Sequence, residues 1–300
     1  MIVTWGDLMT PRSWLFVPGD KPQMLTKAFA SGADAVIVDL EDAVLEQNKA
    51  YARTLVAAFA QDPPSTASQL WVRINPLHTK HALHDLAAVI QVGPAGIVLP
   101  KADSVSAVIE LDHYLSALEA AAGRQIGGTK ILPIATETPK SVFELGSYTA
   151  GGPRLAGLTW GAEDLPTAVG ASSGRDEQGA FTPLCELVRS LCIAGAAAAG
   201  VAAIETVYPA FRDVEGLRAY AVRGRREGFQ GMLAIHPAQV SVINEVFTPS
   251  AAEIAHAERV VAAFDSSAGQ GAIALEGKML DAPHLKQAKR ILASRERSKL

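Results

Sequence analysis

The chain is predicted to be an α/β protein, a (β/α)8 TIM barrel with a C-terminal helical and flap-like extension. Short β-rich apolar runs alternate with longer stretches of helical periodicity, the pattern of repeated βα units on a parallel sheet. Several runs end in charged residues, and the carboxyl ends of parallel strands are where such folds gather their chemistry. A doubly wound open sheet is the structural alternative, but no Gly-x-Gly-x-x-Gly turn follows the first strand to favour it.

The strands are expected at residues 14–19, 35–42, 70–75, 96–101, 130–137, 155–165, 202–208 and 231–236. Helices are expected over 23–30 and 49–60, the second stopped by Asp62-Pro63-Pro64. Asp103 or Ser104 starts the helix after the fourth strand, and another runs over 182–199 behind a Gly/Ser-rich loop at 170–179. Pro237 opens the helix after the eighth strand. Beyond Phe247 the pattern changes to a helix over 251–263, a hairpin or flap over 272–279 and a basic helix over 283–297. The expected division is a barrel at 1–247 and an extension at 248–300, too small for an independent core, that covers the mouth or reaches a neighbouring subunit.

With 49% apolar and 19% charged residues, the 300-residue chain can bury a large core. A net charge of −4 argues against nucleic acid as the main partner. Cys185 and Cys192 lie two helical turns apart, which fits buried reduced thiols rather than a disulfide. No signal peptide is apparent, and the longest uncharged apolar stretch, 190–204, is too short to span a bilayer. A cytoplasmic protein is expected.

At the strand ends stand Asp39, Glu41, Asp42, Arg73, Lys101, Glu137, Asp164, Glu205 and His236. Acids outnumber bases, and so many carboxylates at one mouth would repel unless a divalent cation joined them. Oxygen donors with a single His favour Mg²⁺, or Mn²⁺, over Zn²⁺. Glu137 and Asp164, on adjacent strands, form the best-placed pair. Bland readings stand beside these: Asp39 as a loop cap, Glu41 or Asp42 as a helix N-cap, Arg73 as an interior ion pair, Lys101 as a solvated side chain, His236 as structural. His78, His81 and His84, three apart, are a weak metal signal lacking a further ligand. Gly170-Ala171-Ser172-Ser173-Gly174 lacks the Gly-Lys-Ser/Thr of a phosphate loop and reads as a mobile loop near the mouth.

The segments Arg12-Ser13-Trp14-Leu15-Phe16-Val17-Pro18-Gly19-Asp20, Val38-Asp39-Leu40-Glu41-Asp42-Ala43-Val44, Val72-Arg73-Ile74-Asn75 and Ile97-Val98-Leu99-Pro100-Lys101 resemble the citrate lyase β-subunit family. So do Gly161-Ala162-Glu163-Asp164-Leu165, Ala234-Ile235-His236-Pro237 and Gly277-Lys278-Met279-Leu280-Asp281-Ala282-Pro283. The wider HpcH/HpaI aldolase group includes malyl-CoA and citramalyl-CoA lyases. The resemblance implies a Mg²⁺-dependent carbon–carbon lyase that cleaves a β-hydroxyacyl thioester, on CoA or an acyl-carrier arm, to an acetyl thioester and a keto acid. Carried over by motif, Glu137 and Asp164 would hold the metal, and Arg73 would contact the reacting oxygens. Backbone N–H groups over Gly161, Ala162, Glu163, Asp164 and Leu165 would receive the keto-acid carboxylate. Asp281 would be an acid/base donated by the C-terminal lid, in several relatives to a neighbouring subunit, which implies a homo-oligomer, commonly a trimer or hexamer. Thr136 and Pro139 around Glu137, Asp103 in Lys101-Ala102-Asp103, and Glu205 depart from the usual family residues, which bears on substrate identity. The competing expectations are a metal-dependent pyruvate aldolase on free hydroxy-keto acids and a non-catalytic subunit of a citrate lyase complex.

Overall fold

The computed structural model describes residues 10–61, 67–267 and 271–295. These divide into two compact units, one ending at Asn244 and one beginning at Glu245. In the first unit lie the strands β1 (Ser13–Pro18), β2 (Ala35–Asp39), β3 (Gln69–Arg73), β4 (Gly96–Leu99), β5 (Lys130–Pro133), β6 (Gly157–Thr159), β7 (Ala202–Glu205) and β8 (Gly231–Ala234). They pair in parallel in the order β5-β4-β3-β2-β1-β8-β7-β6. The two outer strands then meet through isolated bridges, Ile131 with Leu155 and Ile134 with Thr159, and the Ala135 N–H donates to the Thr159 carbonyl at 2.8 Å. That seam closes the sheet into a barrel and excludes the doubly wound alternative.

Alternate side chains fill the bore: Trp14, Ala35 and Ile37, Trp71, Val98, Leu132, Ile204 and Leu233 form one buried cluster. Trp14 and Trp71 meet edge to face, with centroids 4.8 Å apart. Gly96 makes room for them, since a Cβ there would lie 2.2 Å from the Trp71 ring.

The helices are α1 (Pro22–Phe29), α2 (Lys49–Gln61), α3 (Ala82–Val89), α4 (Val105–Ala121), α5 (Pro139–Phe143), α6 (Asp164–Ala168), α7 (Pro183–Ala199), α8 (Val214–Glu227) and α9 (Val240–Val246). Ser104 rather than Asp103 caps α4, and Thr138 with Ser141 forms a capping box at α5. Pro237 opens a 3₁₀ turn, Pro237–Gln239, ahead of α9. Cys185 and Cys192 are buried free thiols on α7. The stop at Asp62-Pro63-Pro64 lies outside the described residues.

The observed strands end one to six residues before the predicted ones, because the chain leaves the hydrogen-bonded ladder while still largely buried. The tails become the loops of the mouth. Among the described residues, no helix is long and apolar enough to cross a membrane.

The second unit contains α10 (Ala251–Ser266), the antiparallel strands β9 (Ala272–Leu275) and β10 (Lys278–Asp281), and α11 (Ala282–Arg295). Glu276 and Gly277, at φ of 51° and 77°, make the tight turn of a two-residue hairpin. Sequence reasoning expected this extension to be too small for an independent core; within it Ala257, Val260, Ile273, Leu280 and Ala288 pack into a small buried cluster. Residues 296–297 of the predicted last helix lie outside the described residues.

Candidate active site

Asp39 and Arg73 lie two residues beyond the bore residues Ile37 and Trp71, so alternation places them on the inner face at the barrel's C-terminal end. Arg73 grips Asp39 in a fork, Nε to Oδ1 at 2.8 Å and Nη2 to Oδ2 at 2.6 Å. Asp39 also accepts the N–H groups of Glu41 and Ala43, so the same carboxylate shapes the turn after β2. It is therefore both loop cap and ion-pair partner. Glu41, buried at 4% exposure, stands between two cations: Arg73 Nη1 at 3.0 Å and Lys101 Nζ at 2.5 Å. Burial raises its pKa despite both cations. The acids around Arg73 outweigh the cost of burying it and hold it firmly protonated.

Lys101 is unusual in its backbone. Its φ of 50° is left-handed, a conformation few non-glycine residues adopt. That twist points its N–H at Glu137 Oε2, 2.5 Å away, while its ammonium reaches Glu41 and stands 3.8 Å from both Asp42 and Asp164. It is not a solvated side chain. Glu137 is pushed up to about 8, first by burial, against which the Lys101 N–H works, with the charges of Asp164 and Glu41 adding to the rise. Lys101, Glu137 and Asp164, together with Asp42, Thr138, Glu163, Thr167 and Ala168, line a cavity of about 540 Å³.

Gly161 matters through what it lacks. A Cβ at this position would lie 2.7 Å from Glu137 Cγ, so the bare backbone after β6 is what admits the glutamate. Thr136 locks the arrangement by accepting the Gly161 N–H at 3.0 Å. The sequence reading gave that N–H to a substrate carboxylate; in the structure it is engaged by Thr136. Ala162 is buried. Glu163 sits at the N-cap of α6 without a side-chain capping bond, and Asp164 and Leu165 begin the helix.

Glu205 is a correction. It follows Ile204, a bore residue, and so faces the helical layer instead of the mouth. There it accepts from Arg189 on α7, Tyr220 on α8, the Trp160 indole at 2.6 Å and the Thr206 N–H, fully buried. His236 caps the turn that follows it: Nδ1 accepts the Ala238 N–H, and the ring stacks on Phe211. Neither Glu41 nor Asp42 caps a helix. His81 pairs with Glu46 at 2.9 Å. Among the described residues, no three His, Cys, Asp or Glu side chains gather as a metal cluster. Glu137 and Asp164 are the pair that could share a cation.

Asp281 belongs to the second unit, at the end of β10. Its Oδ1 lies 2.6 Å from His284 Nδ1, and both side chains are half exposed. The residue that sequence reasoning undervalued is Lys101. Its position after a buried strand was visible, but nothing in Leu-Pro-Lys announces a left-handed lysine.

Comparison with known proteins bears out the barrel fold. The HpcH/HpaI aldolase/citrate lyase family model matches residues 12–237. The citrate lyase subunit beta of Haemophilus influenzae is 35% identical over 285 residues, 94% of this chain and 95% of that protein. A (3S)-malyl-CoA thioesterase of Cereibacter sphaeroides is 35% identical over 289 residues, 95% of this chain and 94% of that protein. Among solved structures, CitE of Mycobacterium tuberculosis in complex with magnesium, acetoacetate and coenzyme A superposes with a TM-score of 0.76 at 35% identity, covering 95% of this chain and 98% of that one. A barrel with two carboxylates at the ends of adjacent strands, and this match along most of its length, make the chain a member of the HpcH/HpaI aldolase/citrate lyase family, a family of lyase type.

Proposed function

We propose that this protein is a Mg²⁺-dependent lyase that cleaves a β-hydroxyacyl thioester of the citryl-, citramalyl- or malyl-CoA type to an acetyl thioester and a keto acid. The observation that carries the reading is the cavity shared by Glu137 and Asp164. Their donor set fits the ion, since Mg²⁺ takes one or two protein carboxylates and fills its remaining positions with water and substrate. Burial raises the Glu137 pKa and the charges of Asp164 and Glu41 add to the rise, a repulsion that a shared divalent cation would offset. When bound, Mg²⁺ supplies a Lewis acid for the substrate's hydroxyl and carboxylate oxygens.

The chain's own groups would do the rest. Arg73 commits Nε and Nη2 to Asp39 and turns Nη1 toward Glu41, which fixes the guanidinium plane and leaves its remaining N–H donors for an enolate oxygen as charge develops there. Since Thr136 takes the Gly161 N–H, the keto-acid carboxylate falls to the N–H groups from Ala162 to Leu165. Asp281 is assigned the proton exchange at the acetyl methyl carbon, with the second unit as a water-excluding lid. A cytoplasmic homo-oligomer, trimer or hexamer, is the assembly in keeping with that lid.

The test is a screen of citryl-, citramalyl- and malyl-CoA with Mg²⁺, reading acetyl-CoA, with the free acids alongside. One thioester should turn over, and Asp164→Ala should abolish Mg²⁺-dependent turnover. Unchanged activity in that variant would sink the metal assignment. Turnover of free acids alone would favour a pyruvate aldolase, and activity appearing only with an acyl-carrier complex would favour a complex subunit. Release of free CoA would point to the thioester hydrolysis for which the Cereibacter relative is named.

A further inference from the structure

Glu41 and Lys101 are left without a task by the reaction just described. Glu41 is 4% exposed at the head of the β2 loop and Lys101 is 29% exposed at the cavity wall, and their side chains meet at 2.5 Å. Lys101 divides its effect between two atoms. Its N–H is fixed on Glu137 Oε2 by the left-handed backbone, whatever the side chain does. Its ammonium, on a flexible stem, stands 3.8 Å from Asp164 Oδ1 on the other side. A lysine placed between a buried glutamate and a metal-ligating aspartate offers that aspartate a positive charge of its own.

We propose that Lys101 is a tethered counter-ion of the candidate metal site: it competes with the divalent cation for Asp164, and Glu41 restrains it, so that the Glu41–Lys101 pair sets the cation concentration at which the site fills. This rests on the metal reading of Glu137 and Asp164. The physical case is a matter of sign. A fixed positive charge a few ångströms from a ligand repels a dication, and even in solvent-like surroundings that repulsion is worth roughly a factor of ten in affinity. Glu41 acts in the opposite sense, adding negative potential and holding the ammonium back from Asp164. Other charges facing Lys101 are Asp42, at 3.8 Å, and Arg73, which shares Glu41 and stays on Asp39.

The two residues therefore predict shifts of opposite direction, which a merely structural ion pair does not. Titration calorimetry with MgCl₂ should show Lys101→Met binding roughly tenfold more tightly than the wild type, because the ammonium is gone while the N–H to Glu137 remains. Lys101→Arg should keep the wild-type affinity within about twofold, and Glu41→Gln should weaken binding several-fold. Equal or weaker binding by Lys101→Met overturns the proposal, as does tighter binding by Glu41→Gln. If the wild type binds Mg²⁺ and Asp164→Ala does not, failure of these shifts counts against Lys101 alone. If the wild type shows no Mg²⁺ binding, both readings fall. Should Lys101→Met not fold, the sign of the Glu41→Gln shift decides.

Discussion

Gly161→Ala isolates one steric fact. The added methyl would lie 2.7 Å from Glu137 Cγ and 3.5 Å from Ile134 Cγ2. Carbon pairs rest at about 3.5–4.0 Å, so the glutamate must retreat by roughly 1 Å. It has little room to do so, being 4% exposed and held through Oε2 by the Lys101 N–H. Overpacking of this kind costs about 1–3 kcal/mol of stability. Disturbing the surroundings of a metal ligand typically costs about 10–100-fold in affinity, and a 1 Å displacement of a reacting group can cost about 100-fold in rate. Calorimetric unfolding and Mg²⁺ titration of the same preparation separate the two effects. The variant should unfold cooperatively at a modestly lower Tm and bind Mg²⁺ at least tenfold more weakly. Wild-type affinity in the variant would refute the claim that Gly161 exists to admit Glu137.

Away from the mouth, Glu119 accepts from Arg154 and from the N–H groups of Gly127 and Thr129, and these outweigh its burial and hold it down to about 2. A carboxylate depressed in the folded state stabilises fully above its ordinary range, and that contribution is lost as pH falls toward the folded pKa. Glu119→Gln should therefore cost about 3–5 kcal/mol near neutrality, with the gap to wild type narrowing as pH falls from 4.5 toward 2; a gap independent of pH would contradict this. Asp281→Asn should leave Mg²⁺ affinity unchanged and slow solvent exchange of the acetyl methyl protons at least tenfold, measured by NMR; unaltered exchange would remove Asp281 from the chemistry.

The eight strands were legible because β-branched runs such as Ala-Val-Ile-Val carry their own signal and Gly or Pro punctuates them. Their ends were not, since hydrogen bonding stops at Thr159 while the apolar run continues through Trp160. Glu205 was misread for want of applying the two-residue period: Ile204 faces the bore, so its neighbour cannot. Arg73 and Asp39 fall on the inner face by the same count. The fork between them joins residues 34 positions apart, which no local pattern announces. Lys101 was hidden for a different reason. Left-handed backbone at a lysine is imposed by surrounding structure, and one sequence cannot display it.

The barrel is joined unevenly. Seven of its joints are ladders of successive paired residues, whereas β5 and β6 meet only by isolated bridges. Those are the strands that lead into Glu137 and Asp164. A cation shared by the two carboxylates would therefore act as a clasp across that seam of the hoop, tying catalytic readiness to circumferential closure. The amides of Ala135 and Ala156, which bond across that gap, would then be the first to gain protection from hydrogen exchange as the clasp is fastened.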